Sequence, residues 1–240
     1  MKWGINTWWQ TVTGLTAIAW SLLTLIALAG AVSYNPPNRG APGRSSTVRD
    51  AGSRGCGLIA LEPTLTHWGE TLEPQPTFWV FVSEADRTVD LTLTHETTDA
   101  VLYTATYSAM PAAGISHLPA PADAPPLAPD QPYRWTLSID CPDESGTNPA
   151  TTGVVMRRSP DPDLAQALTD APPAERVALL ANHGLWYDAL TELGHLRLAQ
   201  PDDADLQATW DSLLTHEFVQ LPDLVDQPLT ACCPLEKTTP

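Results

Sequence analysis

The stretch YRWTLSIDC, residues Tyr133 to Cys141, carries the strongest structural signal in this 240-residue chain. Its apolar side chains stand at every second position, beginning with Tyr133 and Trp135, and polar side chains stand between them. Successive side chains of a β-strand point to opposite faces of the sheet, so this period of two predicts a strand with one buried face.

Segments on either side of this stretch also predict strands. Thr77 to Val82 (TFWVFV) is β-branched and aromatic on both faces, and Thr88 to His95 alternates between apolar and polar residues. Weaker strand signals lie at Val101 to Tyr107 and at Gly153 to Arg157. Because turns rich in Pro, Gly and Asp separate these short segments, the middle of the chain predicts an antiparallel β-sandwich.

The loop before the strongest strand refines this prediction. Leu127, Pro129 and Tyr133 are spaced as in the tyrosine corner of fibronectin type III and immunoglobulin-like domains, where the Tyr hydroxyl bonds to the backbone just upstream. Trp135 occupies the position of the immunoglobulin cysteine, which favours the fibronectin-like variant. The alternative is an ordinary buried Tyr that follows a Pro-rich loop.

The last third of the chain predicts helices, because Ala and Leu become frequent after Pro160 and strand signals stop. The predicted helices are Pro173 to Asn182, Leu185 to Ala199 and Asp205 to Phe218. The fold class is therefore α+β, a sandwich followed by a small helical hairpin domain.

The helical part resembles a tetratricopeptide unit in its second half only. Gly184, Ala189 and Pro201 have the spacing of that repeat, whereas Val177 replaces a small residue of its first half and Leu196 replaces another late in the second helix. This part has room for about one and a half such units, so we expect a tetratricopeptide-like hairpin rather than an array.

The N-terminus predicts an export signal. Lys2 precedes nineteen uncharged, mostly apolar residues, Gly14 to Val32, and Ala27, Ala29 and Ala31 offer the small-x-small pattern of a cleavage site. The alternative is an uncleaved anchor formed by residues 14–32, because about 20 apolar residues span a bilayer. In either case we expect the rest of the chain outside the cytoplasm, in the periplasm or at the cell surface.

The charge balance excludes some classes of partner. The chain has 28 acidic and 12 basic residues, and from Cys56 onward 27 acidic residues face seven basic ones. Nucleic-acid binding depends on basic side chains that neutralise phosphates, so a nucleic-acid partner is not expected. Contact with a membrane is expected only through an uncleaved N-terminal segment.

The domain organisation follows from these segments. The predicted parts are a signal peptide or anchor (1–31), a flexible basic linker (32–55), a β-sandwich domain (56–158), an α-helical domain (159–221) and a C-terminal tail (222–240).

The four cysteines, Cys56, Cys141, Cys232 and Cys233, are disulfide candidates in an oxidising compartment. We favour Cys56–Cys141, which leaves Cys232 and Cys233 as a vicinal bridge or as a pair for outside partners. The competing arrangement links each early cysteine to one cysteine of the tail.

No catalytic or cofactor motif is present in the sequence. H-E-x-x-H and G-x-S-x-G are missing, and no two histidines stand at i, i+2 or i, i+4, so no cofactor or metal is expected unless distant parts of the chain assemble a site. Trp68, Trp79 and Trp186 are candidate ligand or interface aromatics, because exposed tryptophans can stack on sugar rings. The alternative is that they pack between the sheet and the helices.

Several segments together resemble a mainly cyanobacterial family of exported proteins catalogued as domain of unknown function 928. They are Arg39-Gly40-Ala41-Pro42-Gly43-Arg44, Arg54-Gly55-Cys56, Pro76-Thr77-Phe78-Trp79, Tyr133-Arg134-Trp135 with Cys141, Gly184-Leu185-Trp186-Tyr187-Asp188-Ala189-Leu190, and Cys232-Cys233. At Gly153-Val154-Val155 the chain departs from the family, where a Trp follows the Gly. The resemblance implies a compartment and an architecture but no reaction.

These features predict a non-enzymatic exported protein that binds a protein partner in the cell envelope. The first alternative is a carbohydrate-binding module that uses exposed Trp79 or Trp68 to bind a polysaccharide. The second alternative is a hydrolase whose catalytic residues the sequence does not reveal.

Overall fold

The computed structural model describes Met1 and residues 32–37, 56–108, 110, 112–142, 146–231 and 235–239. Residues 2–31 of the predicted signal segment, most of the predicted linker and the pair Cys232 and Cys233 lie outside these residues. Within the described part of the chain, no helix is both long and apolar enough to cross a membrane.

The described residues form an α+β fold with two sheets, as the sequence predicts. The strands in chain order are Leu58–Ala60 (β1), Trp68–Thr71 (β2), Phe78–Val82 (β3), Val89–His95 (β4), Val101–Tyr107 (β5), Gly114–Leu118 (β6), Pro132–Ile139 (β7), Ala150–Arg157 (β8), Leu229–Thr230 (β9) and Leu235–Thr239 (β10). One sheet has the order β1-β3-β6-β9, and the other has the order β10-β5-β4-β7-β8-β2.

The predicted strand at YRWTLSIDC is confirmed as β7, which lies between β4 and β8 in the larger sheet. Its side chains alternate between buried and half-buried along the whole strand. The hydroxyl of Tyr133 accepts a hydrogen bond from the backbone N–H of Ala128 at 3.2 Å. This bond from the Tyr to the backbone just upstream is the one that the Leu127–Tyr133 spacing predicts.

The sheets are not purely antiparallel, which corrects the prediction. β2 pairs with β8 in parallel, and β6 pairs with β9 in parallel. Parallel neighbours need a long crossover connection, and a sequence pattern read one strand at a time carries no sign of it. Here the chain between β6 and β9 includes the four α-helices of the described residues.

The helices are Pro162–Asp170 (α1), Pro173–Asn182 (α2), Trp186–Ala199 (α3) and Ala204–Leu214 (α4), with a short 3₁₀ helix at Pro222–Leu224. The prediction for α2 is confirmed residue for residue. The structure adds α1, which the sequence analysis missed and which begins where the Asp161 carboxylate accepts the Leu164 N–H at 2.8 Å. α4 ends four residues before the predicted end, because the Leu221 N–H bonds back to Leu214 O and turns the chain.

One contiguous cluster of buried side chains contains residues of both sheets and of the helices. Phe78 of the smaller sheet and Trp135 of the larger sheet meet inside it with ring centres 5.9 Å apart. The start of the predicted flexible linker also belongs to this cluster. Val32 and Tyr34 are buried, and the Val32 carbonyl accepts a hydrogen bond from Ser212 of α4. Residues 32–37 are therefore part of the packed body.

Candidate functional site

The segment Gly184–Leu190 attaches the helices to the sheets. Gly184 adopts φ +76°, a left-handed conformation that glycine accepts without steric cost, and α3 begins two residues later. The indole N–H of Trp186 donates to the Leu61 carbonyl at 3.0 Å, and the ring meets Tyr34 edge to face at 5.1 Å. Trp186 is thus an interface aromatic inside the protein.

The next residue, Tyr187, centres a buried polar network. Its hydroxyl accepts a hydrogen bond from Trp135 Nε1 at 2.8 Å and donates one to the Val154 carbonyl at 3.1 Å. Both partners belong to the larger sheet, so this hydroxyl ties α3 to β7 and β8.

A Glu–His pair lies beside this network. Glu62 is buried, and its Oε1 bonds to His67 Nδ1 at 2.9 Å. Glu62 Oε2 has no hydrogen-bond partner among the described residues. Gly153 leaves the space for this oxygen, because a Cβ there would lie 2.2 Å from it.

Burial controls the protonation of this pair. Desolvation raises the pKa of Glu62 from 4.5 to about 7, although the bond and the charge of His67 act in the opposite direction. The same bond raises the pKa of His67, against the effect of its own partial burial. The folded protein therefore holds a proton on this pair over a pH interval in which an unfolded Glu would release it.

We expect Glu62 to make the protein less stable as the pH rises. Its pKa is raised in the folded state, so its stabilising contribution is complete below pH 4.5 and is lost as the pH approaches about 7. Each pKa unit corresponds to about 1.4 kcal/mol. Urea unfolding measured between pH 4.5 and about 7 should show a steeper fall in the free energy of unfolding for the wild type than for Glu62→Gln, because the glutamine side chain stays neutral. Glu217→Gln, an exposed control, should keep the wild-type slope. Equal slopes for wild type and Glu62→Gln would contradict the prediction.

Asp188 forms a further attachment of α3 to the larger sheet. Its carboxylate accepts hydrogen bonds from the Leu72 N–H at 3.0 Å and from the Thr71 hydroxyl at 3.2 Å. Burial raises the pKa of Asp188 to about 7, although both hydrogen bonds act to lower it. The carboxylate thus fixes the loop that follows β2 against the first turn of α3.

A groove opens where this loop meets α1, α2 and α3. It has a volume of about 360 Å³, and polar and charged side chains form much of its lining. The charged or titratable residues in the lining are Glu73, Arg176, Tyr187, Asp188, Glu192 and His195. Arg176 forms an ion pair with Glu192, which leaves the loop residue Glu73 as the most exposed acid of the set.

The candidate aromatics Trp68 and Trp79 are buried, with 1% and 2% of their surface exposed. Trp79 Nε1 donates to the Thr191 hydroxyl of α3 at 3.1 Å, and Gly194 lies against the ring. Trp68 packs with Val154 and Met156 in a small separate cluster. The proposal of sugar stacking on exposed Trp79 or Trp68 is therefore wrong, because the helices cover Trp79 and Trp68 has no exposed ring face.

The favoured disulfide Cys56–Cys141 is present, with Cα atoms 6.2 Å apart. It joins Cys56, two residues before β1 of the smaller sheet, to Cys141, two residues after the end of β7 of the larger sheet. Cys232 and Cys233 lie outside the described residues, so their pairing stays a prediction.

Sequence reasoning missed the Glu62–His67 pair and the role of Asp188. Glu62 and His67 stand in a loop without periodicity, and only Pro63 beside Glu62 marks a turn. The resemblance singled out the Gly-Leu-Trp-Tyr-Asp-Ala run without saying what its side chains contact. In the structure, three successive residues of this run bond to the residue after β1, to β8 and to the residue after β2.

Two comparisons with known proteins add to this description. The family model described as Domain of Unknown Function (DUF928) matches residues 39–229. A search of curated proteins finds no match.

Proposed function

The chain belongs to the Domain of Unknown Function (DUF928) family, and we propose that it is an exported, non-enzymatic protein that binds a basic segment of an envelope protein in the groove beside α3. The single observation that carries the proposal is the groove itself, which is open to solvent, has a lining that is about half polar, and contains more acids than bases. Its site residues are Glu73, Glu192 and the surrounding hydroxyls.

Charge supports a basic partner. Glu73 and Glu192 line the groove with a single arginine, Arg176, which is paired with Glu192, so Glu73 is the exposed acid that a basic segment would meet. Asp188 adds less charge, because burial raises its pKa to about 7. The protein as a whole carries a formal charge of −16. Electrostatic complementarity speeds association and rejects partners of like charge, so a Lys- or Arg-rich segment is the favoured occupant.

The disulfide supports export, and an exported protein would meet its partner in the envelope. A disulfide between Cys56 and Cys141 is compatible with an oxidising compartment such as the periplasm or the cell surface. Val32, the last residue of the predicted hydrophobic segment, is packed in the body against α4. An uncleaved anchor ending at Val32 would press an acidic body onto the membrane, so we propose that the signal is cleaved before Val32.

The architecture supports binding rather than catalysis. We propose that the two sheets are a fibronectin- or immunoglobulin-like sandwich, in agreement with the Tyr133 hydroxyl bond to Ala128. We also propose that α2 and α3 are a tetratricopeptide-like hairpin whose free side forms the groove. Both types of unit commonly present surfaces for protein partners.

The test uses labelled peptides of alternating Lys and Ser, with matched peptides in which Glu replaces Lys. We expect the Lys peptide to bind, to bind less tightly as salt increases, and to lose about two- to fivefold in affinity with Glu73→Gln. Glu217→Gln removes the same charge at an exposed position away from the groove and is the matched control.

Fluorescence polarisation measures both affinities. Equal binding of the Lys and Glu peptides, or equal effects of Glu73→Gln and Glu217→Gln, would overturn the groove as the binding site. A crosslinker placed at Thr77, which lines the groove, should then label one envelope protein that excess Lys peptide displaces.

The Glu62–His67 pair favours a hydrolase as the second candidate. A buried carboxylate that holds one nitrogen of a half-buried histidine is the acid–histidine half of many hydrolytic sites. Turnover of nitrophenyl esters that disappears with His67→Gln would establish this activity. Turnover that is equal in both proteins would exclude a role of the pair in it.

A further inference from the structure

We infer that His117 of β6 and His195 of α3 together bind a divalent transition-metal ion of the Cu²⁺ or Zn²⁺ type. The two imidazole rings lie 5.3 Å apart between centres, with their planes at 87°. The sequence offers no sign of this pair, because its members come from the smaller sheet and from the helical part. The inference does not depend on the proposed function.

The separation of the rings matches a shared ion. A metal at about 2.0–2.1 Å from one nitrogen of each ring, with a tetrahedral angle between the bonds, places the two ring centres about 5 Å apart. The observed 5.3 Å between ring centres agrees with this separation.

Trp79 holds the two histidines in place. Its ring lies 5.3 Å from that of His117 and 5.9 Å from that of His195. The indole itself is fixed by its hydrogen bond to Thr191 and by Gly194, where a Cβ would lie 2.3 Å from the ring. Ligands held before the ion arrives lose little conformational freedom when it binds, which favours binding.

An unsatisfied nitrogen supplies an independent observation. His117 Nδ1 is buried and has no hydrogen-bond partner among the described residues. Buried polar atoms without a partner are uncommon in folded proteins and call for a physical explanation. A metal ion bound at Nδ1 would supply one.

The remaining coordination positions are open. No group of three or more His, Cys, Asp or Glu suited to a metal occurs among the described residues. Two imidazoles would therefore share the ion with water or with a group from another molecule. His195 is exposed and lines the groove, so such a group can approach from solvent. Imidazole ligands suit Zn²⁺, Cu²⁺ and Ni²⁺, and Cu²⁺ should bind most tightly.

The experiment is calorimetric titration of the tag-free, full exported chain with CuCl₂ and ZnCl₂. We expect one Cu²⁺ per chain, and a loss of affinity of tenfold or more with His117→Gln and with His195→Gln. His183→Gln is the matched control, because His183 is an exposed histidine whose Nδ1 bonds to the Leu179 carbonyl. It should bind Cu²⁺ like the wild type.

A second measurement covers the case in which His117→Gln folds poorly. In the wild type, substoichiometric Cu²⁺ should broaden the imidazole NMR signals of His117 and His195 before those of the other histidines. His195 is exposed, so the variant His195→Gln should remain folded. The affinity of this variant for Cu²⁺ therefore tests the site even if His117→Gln cannot be used. No binding, binding that survives His195→Gln, or broadening that begins at another histidine would overturn the inference.

Discussion

Replacing Gly153 with alanine is expected to lower the free energy of unfolding by roughly 3 kcal/mol or more. The new Cβ would lie 2.2 Å from Glu62 Oε2 and 2.2 Å from Trp135 Cζ2. Trp135 cannot easily move aside, because its Nε1 donates to the Tyr187 hydroxyl inside the core. Urea unfolding followed by tryptophan fluorescence measures the effect.

Gly57→Ala is the matched control for this prediction. A Cβ at Gly57 would lie 3.3 Å from atoms of the Ser83 side chain, which can shift. We expect a change of less than about 1 kcal/mol. If the two variants unfolded at the same urea concentration, the close packing around Gly153 would not describe the protein in solution.

Removing the disulfide is expected to cost about 4–5 kcal/mol of stability in the Cys56→Ser, Cys141→Ser double variant. The bond closes a loop with a sequence separation of 85 residues, and cross-linking a long loop restricts the unfolded chain strongly. The bond also joins the two sheets at their ends. The denaturation midpoint of this variant, measured without reductant, gives the loss.

The double variant Cys232→Ser, Cys233→Ser separates the alternative pairings. If Cys56 pairs with Cys141, this variant should keep the wild-type midpoint under oxidising conditions and lose stability when a reductant is added. If each early cysteine were instead linked to the tail, the tail variant would already be destabilised without reductant. Peptide mapping of the oxidised protein checks the same assignment independently.

Periodic segments with one buried face could be predicted from the sequence. YRWTLSIDC alternates over a full strand, and α2 has a clear start at Pro173 and stops before Gly184. In both cases the local pattern and the tertiary packing demand the same conformation. The Cys56–Cys141 bond that the sequence analysis favours is present, but four cysteines allow three pairings and no local pattern chooses among them.

Short strands in the C-terminal region could not be predicted. Leu229–Thr230 and Leu235–Thr239 have little periodicity, yet each pairs with the edge of a different sheet. An unpaired edge strand presents free N–H and C=O groups, so a short segment of almost any composition can be held there by backbone bonds alone. The identity of its side chains then carries little information.

In the candidate site, too, the sequence shows which segment matters but not what its side chains contact. A Gly-Leu-Trp-Tyr-Asp run could be singled out in the sequence, but the partners of Trp186, Tyr187 and Asp188 are distant residues. The sequence around Trp79 fits an exposed aromatic that binds a ligand as well as it fits a core residue. Its burial followed from the position of α3, which no local pattern around Trp79 specifies.

Composition and local periodicity were enough to establish an acidic chain with strands in its middle, helices in its last third and paired cysteines. Backbone conformation and side-chain alternation depend on neighbours within a few residues, so the sequence expresses them directly. Four other features arise only in the tertiary structure. They are the parallel strand pairs, the proton held by Glu62 and His67, the groove beside α3, and the approach of His117 to His195. Each of these features depends on residues that are far apart in the chain. Their burial and the distances between them are set only when the chain packs.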